Sequence, residues 1–406
     1  MKQPWTAGRP LSDKDWKDYQ RRLLLESAAR DIEPGEYFLP ARFPLLMEAE
    51  EWHAVSRLAQ KLAVEALAAE EELLLRPDLH ERLGLSKAVM DALRGCGRRN
   101  SPRGSARIMR CDFHFTAEGW RISEVNTDFL GGYFEASSLT KLMATYYPQC
   151  SPPPDPAGLY ARAIRRAVGE SALVGIVRRP SIARYRGLKA VAHEIRRQGM
   201  RAAMVSPRKV RWKSNFARVA ESTSASLPDL LIRWVNATLL PSLLPTPQWT
   251  PWYCGGKTPM SNPASCVLTQ SKRFPLVWVE MHTPMPNWRS LLPETRCANE
   301  LSPSSADEWV FKGFYGAAGN EVAIAGITEK QAYQAMLKMV RRRPDKWIAQ
   351  RRFESTPLNT ESGPRHVCLG IYTVDGRVAG AYGRMAPQPL VDGYAEDIVF
   401  LIRGKE

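Results

Sequence analysis

The chain has 406 residues, with 57 Lys+Arg against 42 Asp+Glu and a formal net charge of +15. At roughly 100–200 residues per domain, this length predicts two or three domains, or one large domain with appendages. A hydrophobic content of 44%, with 12 Trp, 13 Tyr and 12 Phe, excludes disorder over most of the chain and allows a sizeable core. Met1–Gln20 is charged and lacks an apolar h-region, so no signal peptide is expected. No run reaches the ~18 apolar residues that a membrane span requires, and Leu227–Leu244 carries Asp229, Arg233 and Pro241. Cys96, Cys111, Cys150, Cys254, Cys266, Cys297 and Cys368 are spread singly with no CxxC. Neither a disulfide framework nor a zinc cluster is expected, and a soluble, cytoplasmic protein is the default. The positive excess fits nucleic acid, an anionic small substrate or an acidic protein partner.

In chain order, Ser12 with Asp15 resembles a capping box ahead of a helix over Asp13–Ala29. Val55, Leu58, Leu62 and Ala66, at three- and four-residue steps, predict a second helix over Leu45–Leu75, and a short third covers Ser86–Leu93. After the basic Gly95–Gly104, Ile108–Phe115 and Trp120–Val125 read as a strand pair. Beyond the Pro-rich Ser151–Pro156, strand Leu173–Val177, helix Gly187–Gln198, strand Ala202–Val205, a basic loop and strand Leu230–Val235 suggest an open parallel sheet. Leu239–Pro263 reads as an irregular loop. Trp309–Lys312, Trp347–Arg351, Val367–Val374 and Val378–Tyr382 read as strands around a helix at Glu329–Arg342. The expected divisions are a helical region at 1–105, a hairpin segment at 106–150, an open α/β subdomain at 151–245 and a lysine/glycine-loop part at 246–406.

The strand pair is the most informative stretch. Gly119 suits the left-handed position of a three-residue loop, Ala117-Glu118-Gly119. That register sets Thr116 opposite Trp120, Asp112 opposite Glu124 and Arg110 opposite Asn126; a two-residue loop would pair Asp112 with Ser123 and break the cluster. Two carboxylates and an amide on one face, beside a guanidinium, are the hard-oxygen set Mg²⁺ prefers when it also holds phosphates. A solvated polar face with an ordinary cross-strand ion pair is the alternative. His114 shares that face and reads as structural.

Val310-Phe311-Lys312-Gly313 leads into Phe314-Tyr315-Gly316-Ala317-Ala318-Gly319. A lysine leaving a strand can reach phosphate oxygens, and a small-residue loop can cover them with backbone N–H groups. It is not a Walker A sequence, and a plain turn is the alternative. Lys272 precedes Pro275-Leu276-Val277-Trp278. Gln350 lies in Trp347–Arg351, where backbone groups could pair with an adenine edge.

Taken in this order, these segments resemble the ATP-grasp synthetase domain of the glutathionylspermidine synthase family, in which the Mg²⁺-binding carboxylates precede the ATP lysines in a circular permutation. Its Arg-x-Asp and Glu-x-Asn match Arg110, Asp112, Glu124 and Asn126. Its ATP lysines resemble Lys272 and Lys312, with Gly313 in place of the family's proline, its hinge Trp347–Arg351, and its Gly-x-x-x-Arg Gly380–Arg384. The resemblance implies an α/β (α+β) ATP-grasp fold with a helical N-terminal part and an open α/β subdomain. It implies ATP and Mg²⁺ as cofactors and a carboxylate–amine (or thiol) ligase acting through an acyl phosphate. Asp112, Glu124 and Asn126 would hold the metal; Lys272, Lys312, Gly316, Gly319, Gln350 and Arg384 would bind nucleotide; Arg110 would be catalytic. The expected partners are a carboxylate and an amine, or a thiol on an acidic carrier protein. The rival readings are a kinase or a degenerate scaffold without turnover on the same site, and a nucleic-acid-binding protein using Arg94–Arg107, Arg178–Arg186, Arg208–Lys213 and Arg341–Arg343 with Trp212 and Tyr185.

Overall fold

Ser12 caps the first helix (Asp13–Ala28) through its Oγ, which accepts from the Asp15 N–H at 3.2 Å. The computed structural model describes residues 2–32, 39–96, 106–179, 186–220, 225–244, 249–301, 303–314 and 321–404. The second helix begins later than periodicity predicts. Leu45–Glu48 is a strand, parallel to Phe400–Arg403 and antiparallel to Trp5–Ala7, and the helix covers Ala49–Leu74. An apolar Leu-Leu-Met run suits either structure, and pairing with a strand some 350 positions away decides it.

The helix Ala49–Leu74 lies over a six-stranded antiparallel sheet, built in the order Glu396–Ile398, Arg377–Ala386, Gly363–Val374, Ile108–Thr116, Gly119–Asn126, with Leu358–Thr360 pairing Gly363–Val374. Its inner face presents Ala59, Ala63, Ala66 and Ala69, all wholly buried. Small side chains let the helix approach closely, and Cys111 and Phe113 share its core cluster. The other face of the sheet carries the candidate site.

The expected parallel sheet is present as Met260–Ser261, Leu230–Trp234, Leu173–Arg178 and Arg201–Val205, with helix Arg186–Arg197 as the crossover between the last two. The basic loop after Val205 is instead a small antiparallel sheet of Val210–Lys213, Phe216–Ala220 and Ala225–Ser226. Leu239–Pro263, expected to be an irregular loop, instead carries short helices at Leu240–Leu243 and Thr250–Cys254 and the strand Met260–Ser261, with 245–248 outside the described residues. A fourth sheet, ordered Thr295–Cys297, Trp347–Arg351, Trp309–Gly313, Val322–Ile324, packs against helix Lys330–Arg342.

One expectation is corrected outright: Cys96 and Cys254 form a disulfide, with a Cα–Cα distance of 4.5 Å across a sequence separation of 158. Packing of helix Lys87–Arg94 on helix Thr250–Cys254 brings the two together, and no spacing motif could announce that. No helix among the described residues is long and apolar enough to cross a membrane.

Candidate active site

The loop of the carboxylate hairpin has two residues, Ala117 and Glu118, with Thr116 opposite Gly119, not three as expected. Gly119 does take a positive φ of 106°, and Thr116 Oγ1 closes the turn on the Gly119 carbonyl at 2.8 Å. A two-residue loop alone would have set Asp112 against Ser123. A β-bulge between Asp112 and Phe113 restores the pairing: Phe113 faces Ile122, Asp112 faces Glu124 and Arg110 faces Asn126. Ser123 is the extra residue. Its Oγ bonds the ring of His114 at 3.1 Å, and its carbonyl accepts from Lys312 Nζ at 3.2 Å. The bulge thus turns a backbone oxygen toward the lysine of the neighbouring sheet.

Around this hairpin lies a cavity of about 410 Å³. Arg110, Asp112, Glu124, Asn126, Lys272, Lys312, Gln350 and Arg384 all line it. Gly316 and Gly319 lie outside the described residues. Arg110 grips Asp112 with two bonds, Nε to Oδ1 at 2.6 Å and Nη2 to Oδ2 at 2.8 Å, over the Tyr382 ring. Asn126 Nδ2 donates to Asp112 at 3.2 Å and Glu124 at 3.3 Å. Lys272 Nζ lies 3.4 Å from Glu124, and Lys312 Nζ donates to Gln350 Oε1 at 2.6 Å.

The electrostatics divide the carboxylates. Burial pushes Glu124 up, but Lys272, Lys312 and Arg110, with the Asn126 amide, outweigh it and hold the acid at about 2. Burial also raises Asp112, against the pull of Arg110. Lys312 is pulled down to about 8 by burial, with Glu124 opposing and Lys272 assisting. His114 falls to about 4 through burial and Lys312, so it is neutral at pH 7.

The adenine-edge reading of Trp347–Arg351 needs correction. That strand is central, paired to Thr295–Cys297 on one side and Trp309–Gly313 on the other, so its backbone edges are taken. Gln350 serves through its side chain instead, between Lys312 and Thr295 Oγ1. Of the basic stretches, 97–105 and 180–185 are outside the described residues. Arg107 is buried and paired with Glu70 at 2.6 Å, and Trp212 packs edge-on against Trp252.

Sequence reasoning missed several residues that shape the cavity. Gln270 Oε1 accepts from the N–H groups of Thr127 (2.7 Å) and Asp128 (2.9 Å), pinning the end of the carboxylate strand to the segment carrying Lys272. Asn262 holds the hairpin from the parallel sheet, donating to the carbonyls of Ile108 (2.6 Å) and Thr127 (2.8 Å). Asp128 pairs with the fully buried Arg233. A charged residue within the apolar strand Leu230–Trp234 was the available signal.

No family model matches the chain, and no curated protein is similar to it in sequence. Among solved structures it is similar to a glutathione synthetase-like effector from Globodera pallida in its apo form. The TM-score is 0.64 at 10% identity, with 96% of this chain and 97% of that chain covered. It is also matched to a protein described as a gamma-glutamylcysteine synthetase from Methylobacillus flagellatus KT (TM-score 0.44, 12% identity, 82% and 87% covered). A RimK domain ATP-grasp protein from Sphaerobacter thermophilus gives a TM-score of 0.29 at 14% identity, with 52% and 89% covered. The fold is that of the first of these. The chain has the α/β ATP-grasp fold.

Proposed function

We propose that the protein is an ATP-dependent carboxylate–amine (or thiol) ligase, glutathionylspermidine synthase-like, that forms an acyl phosphate and releases ADP and phosphate. One observation carries this reading: Lys272, Lys312, Asp112, Glu124, Asn126, Arg110 and Arg384 converge on one cavity of an ATP-grasp fold.

The donor set fits Mg²⁺. Glu124 is ionised at any working pH. Asp112 lies beside it, and the Asn126 amide, whose Nδ2 donates to both acids, would turn its Oδ1 inward to complete three hard oxygens. Among the described residues no group of three His, Cys, Asp or Glu could form an all-protein cage. That suits a cation that keeps waters and substrate phosphates in its shell. Asp112, Glu124 and Asn126 would hold Mg²⁺, which would supply neutralisation of phosphate charge.

The chain's own residues supply the rest. Lys272 and Lys312 hold phosphate oxygens, Lys312 aimed by Ser123 and Gln350. Arg384 adds a second guanidinium. An oxygen of the substrate carboxylate attacks the γ-phosphorus and ADP leaves. Arg110, oriented by its two bonds to Asp112, stabilises the acyl-phosphate oxygens and the oxyanion formed when the amine or thiol adds. Phosphate then departs with the amide or thioester formed. The attacking group comes from a free amine or from the thiol of an acidic carrier, whose negative field would complement the +15 of this chain.

The test is an ADP-release screen of carboxylates crossed with amines and carrier proteins, with mass spectrometry of the products. Glu124→Gln is expected to abolish acid-dependent ADP release in a folded protein. Turnover unchanged in that variant overturns the site. A phosphate ester in place of an amide or thioester identifies a kinase.

A further inference from the structure

The cavity has two ends along the carboxylate strand. At the Ser123 end stand Lys312 and Gln350. At the other end, two residues past Asn126, the chain reaches Asp128, and here two amide side chains of different segments line the wall, Asn236 and Gln270. Both are locked by their oxygens. Gln270 Oε1 accepts from the backbone N–H groups of Thr127 and Asp128 at 2.7 and 2.9 Å. Asn236 Oδ1 accepts from Thr238 N at 2.8 Å and Thr238 Oγ1 at 2.6 Å. A backbone N–H can only donate, so neither amide can turn over without setting its NH₂ group against an N–H. The Nε2 of Gln270 and the Nδ2 of Asn236 are therefore fixed donors. Neither bonds to protein among the described residues, nor is either sealed from the cavity.

The acid between them offers no counter-charge. Asp128 Oδ1 is paired with Arg233 and Oδ2 accepts from Ala237 N at 2.9 Å. Arg110 reaches the Gly131 carbonyl at 3.4 Å, and Arg384 also lines the cavity. Phe129, 37% exposed, adds an apolar surface. Two fixed amide donors beside a carboxylate whose oxygens are both taken recognise oxygen acceptors.

We infer that Gln270 and Asn236 are specificity-determining residues, and that the carboxylate substrate carries at least one further acceptor oxygen, an amide carbonyl or a second carboxylate, that their NH₂ groups bind. This rests on the ligase reading for the word substrate, but the donor wall is testable by binding alone.

Gln270→Glu and Asn236→Asp keep the locked oxygen and replace the donor with an acceptor, so folding and melting temperature are expected to hold. The probes are pentanoate and N-acetylglycine, monoanions of similar size that differ in the amide carbonyl, titrated by ligand-observed NMR with Mg²⁺ and AMP-PNP present. Wild-type protein is expected to bind N-acetylglycine about tenfold or more tightly than pentanoate, and each variant to lose that preference. Equal binding of the two acids by wild type, or a preference retained in both variants, overturns the inference. A preference lost in the variants with no ADP released for any acid overturns the ligase reading and leaves the donor wall standing. ADP release whose KM for the acid is the same in Gln270→Glu as in wild type does the reverse.

Discussion

Replacing Lys312 with methionine removes one charge at the centre of the site and keeps the length of the side chain. Lys312 is 8% exposed, and burial lowers it from 10.5 to about 8. That drop represents about 3 kcal/mol of unfavourable charge burial. The sign follows from proton counting: between pH 8 and 10.5 the unfolded chain holds a proton here that the folded protein lacks. Stability rises with pH through that window, and the cost is fully present below it. Lys312→Met relieves this cost but leaves Gln350 Oε1 and the Ser123 carbonyl without a donor, at about 1–3 kcal/mol. The two effects nearly cancel, so the variant is expected to fold. Nucleotide binding should not survive so well. A charge-assisted bond to phosphate is worth about 1.5–3 kcal/mol, so the Kd for Mg²⁺–AMP-PNP should rise about ten- to a hundredfold. The assay is calorimetric titration across pH. Glu124 and His114, which face the ammonium together with Lys272, titrate at about 2 and about 4, far below the window. Wild-type affinity should be flat below pH 8, then weaken about tenfold per unit above it, because the free protein must take up a proton to bind. The variant should lack that limb. A wild-type affinity constant from about pH 7 to 9.5 would refute the argument.

Gly370 lies opposite Asp112, where an added Cβ would stand 2.8 Å from Arg110 Cδ and 3.1 Å from Asp112 Oδ1. Gly370→Ala should cost about 1–3 kcal/mol and cut the rate of ADP release. Gly131→Ala, with nothing within 4 Å, should leave melting unchanged, and equal effects of the two substitutions would contradict this steric difference. Arg233→Leu strands the buried Asp128 carboxylate and should lower stability by about 3–5 kcal/mol in urea titration; a loss below about 1 kcal/mol would show the pair to be dispensable. Unfolded, unreduced protein should expose five titratable thiols, Cys111, Cys150, Cys266, Cys297 and Cys368. Reduction of the Cys96–Cys254 bond should cost about 2–5 kcal/mol. Seven thiols before reduction would exclude the bond.

The hairpin illustrates how far local rules reach. Alternation and glycine placement located both strands and the facing of Asp112 with Glu124, yet the loop that was to secure this facing is one residue shorter. The bulge at Ser123 makes up the difference. Its position follows from what Ser123 contacts, His114 beside it and Lys312 on another sheet, and no window of neighbouring residues contains Lys312. The same limit applies to Leu45–Glu48 and to Gln270, whose acceptors and donors lie more than a hundred positions apart.

By itself, then, the sequence determined the residue types of the site and their order: Arg110, Asp112, Glu124 and Asn126 two and twelve positions apart, then two lysines on separate apolar runs. Period-two patterning acts between neighbours and is readable locally. Tertiary structure decided the protonation of those groups, because a pKa depends on burial and on charges brought from distant segments. It also decided the Cys96–Cys254 bond, the pairing of Arg233 with Asp128, and which way two amides face. Each of these depends on distances between residues far apart in the chain, which only the folded packing sets.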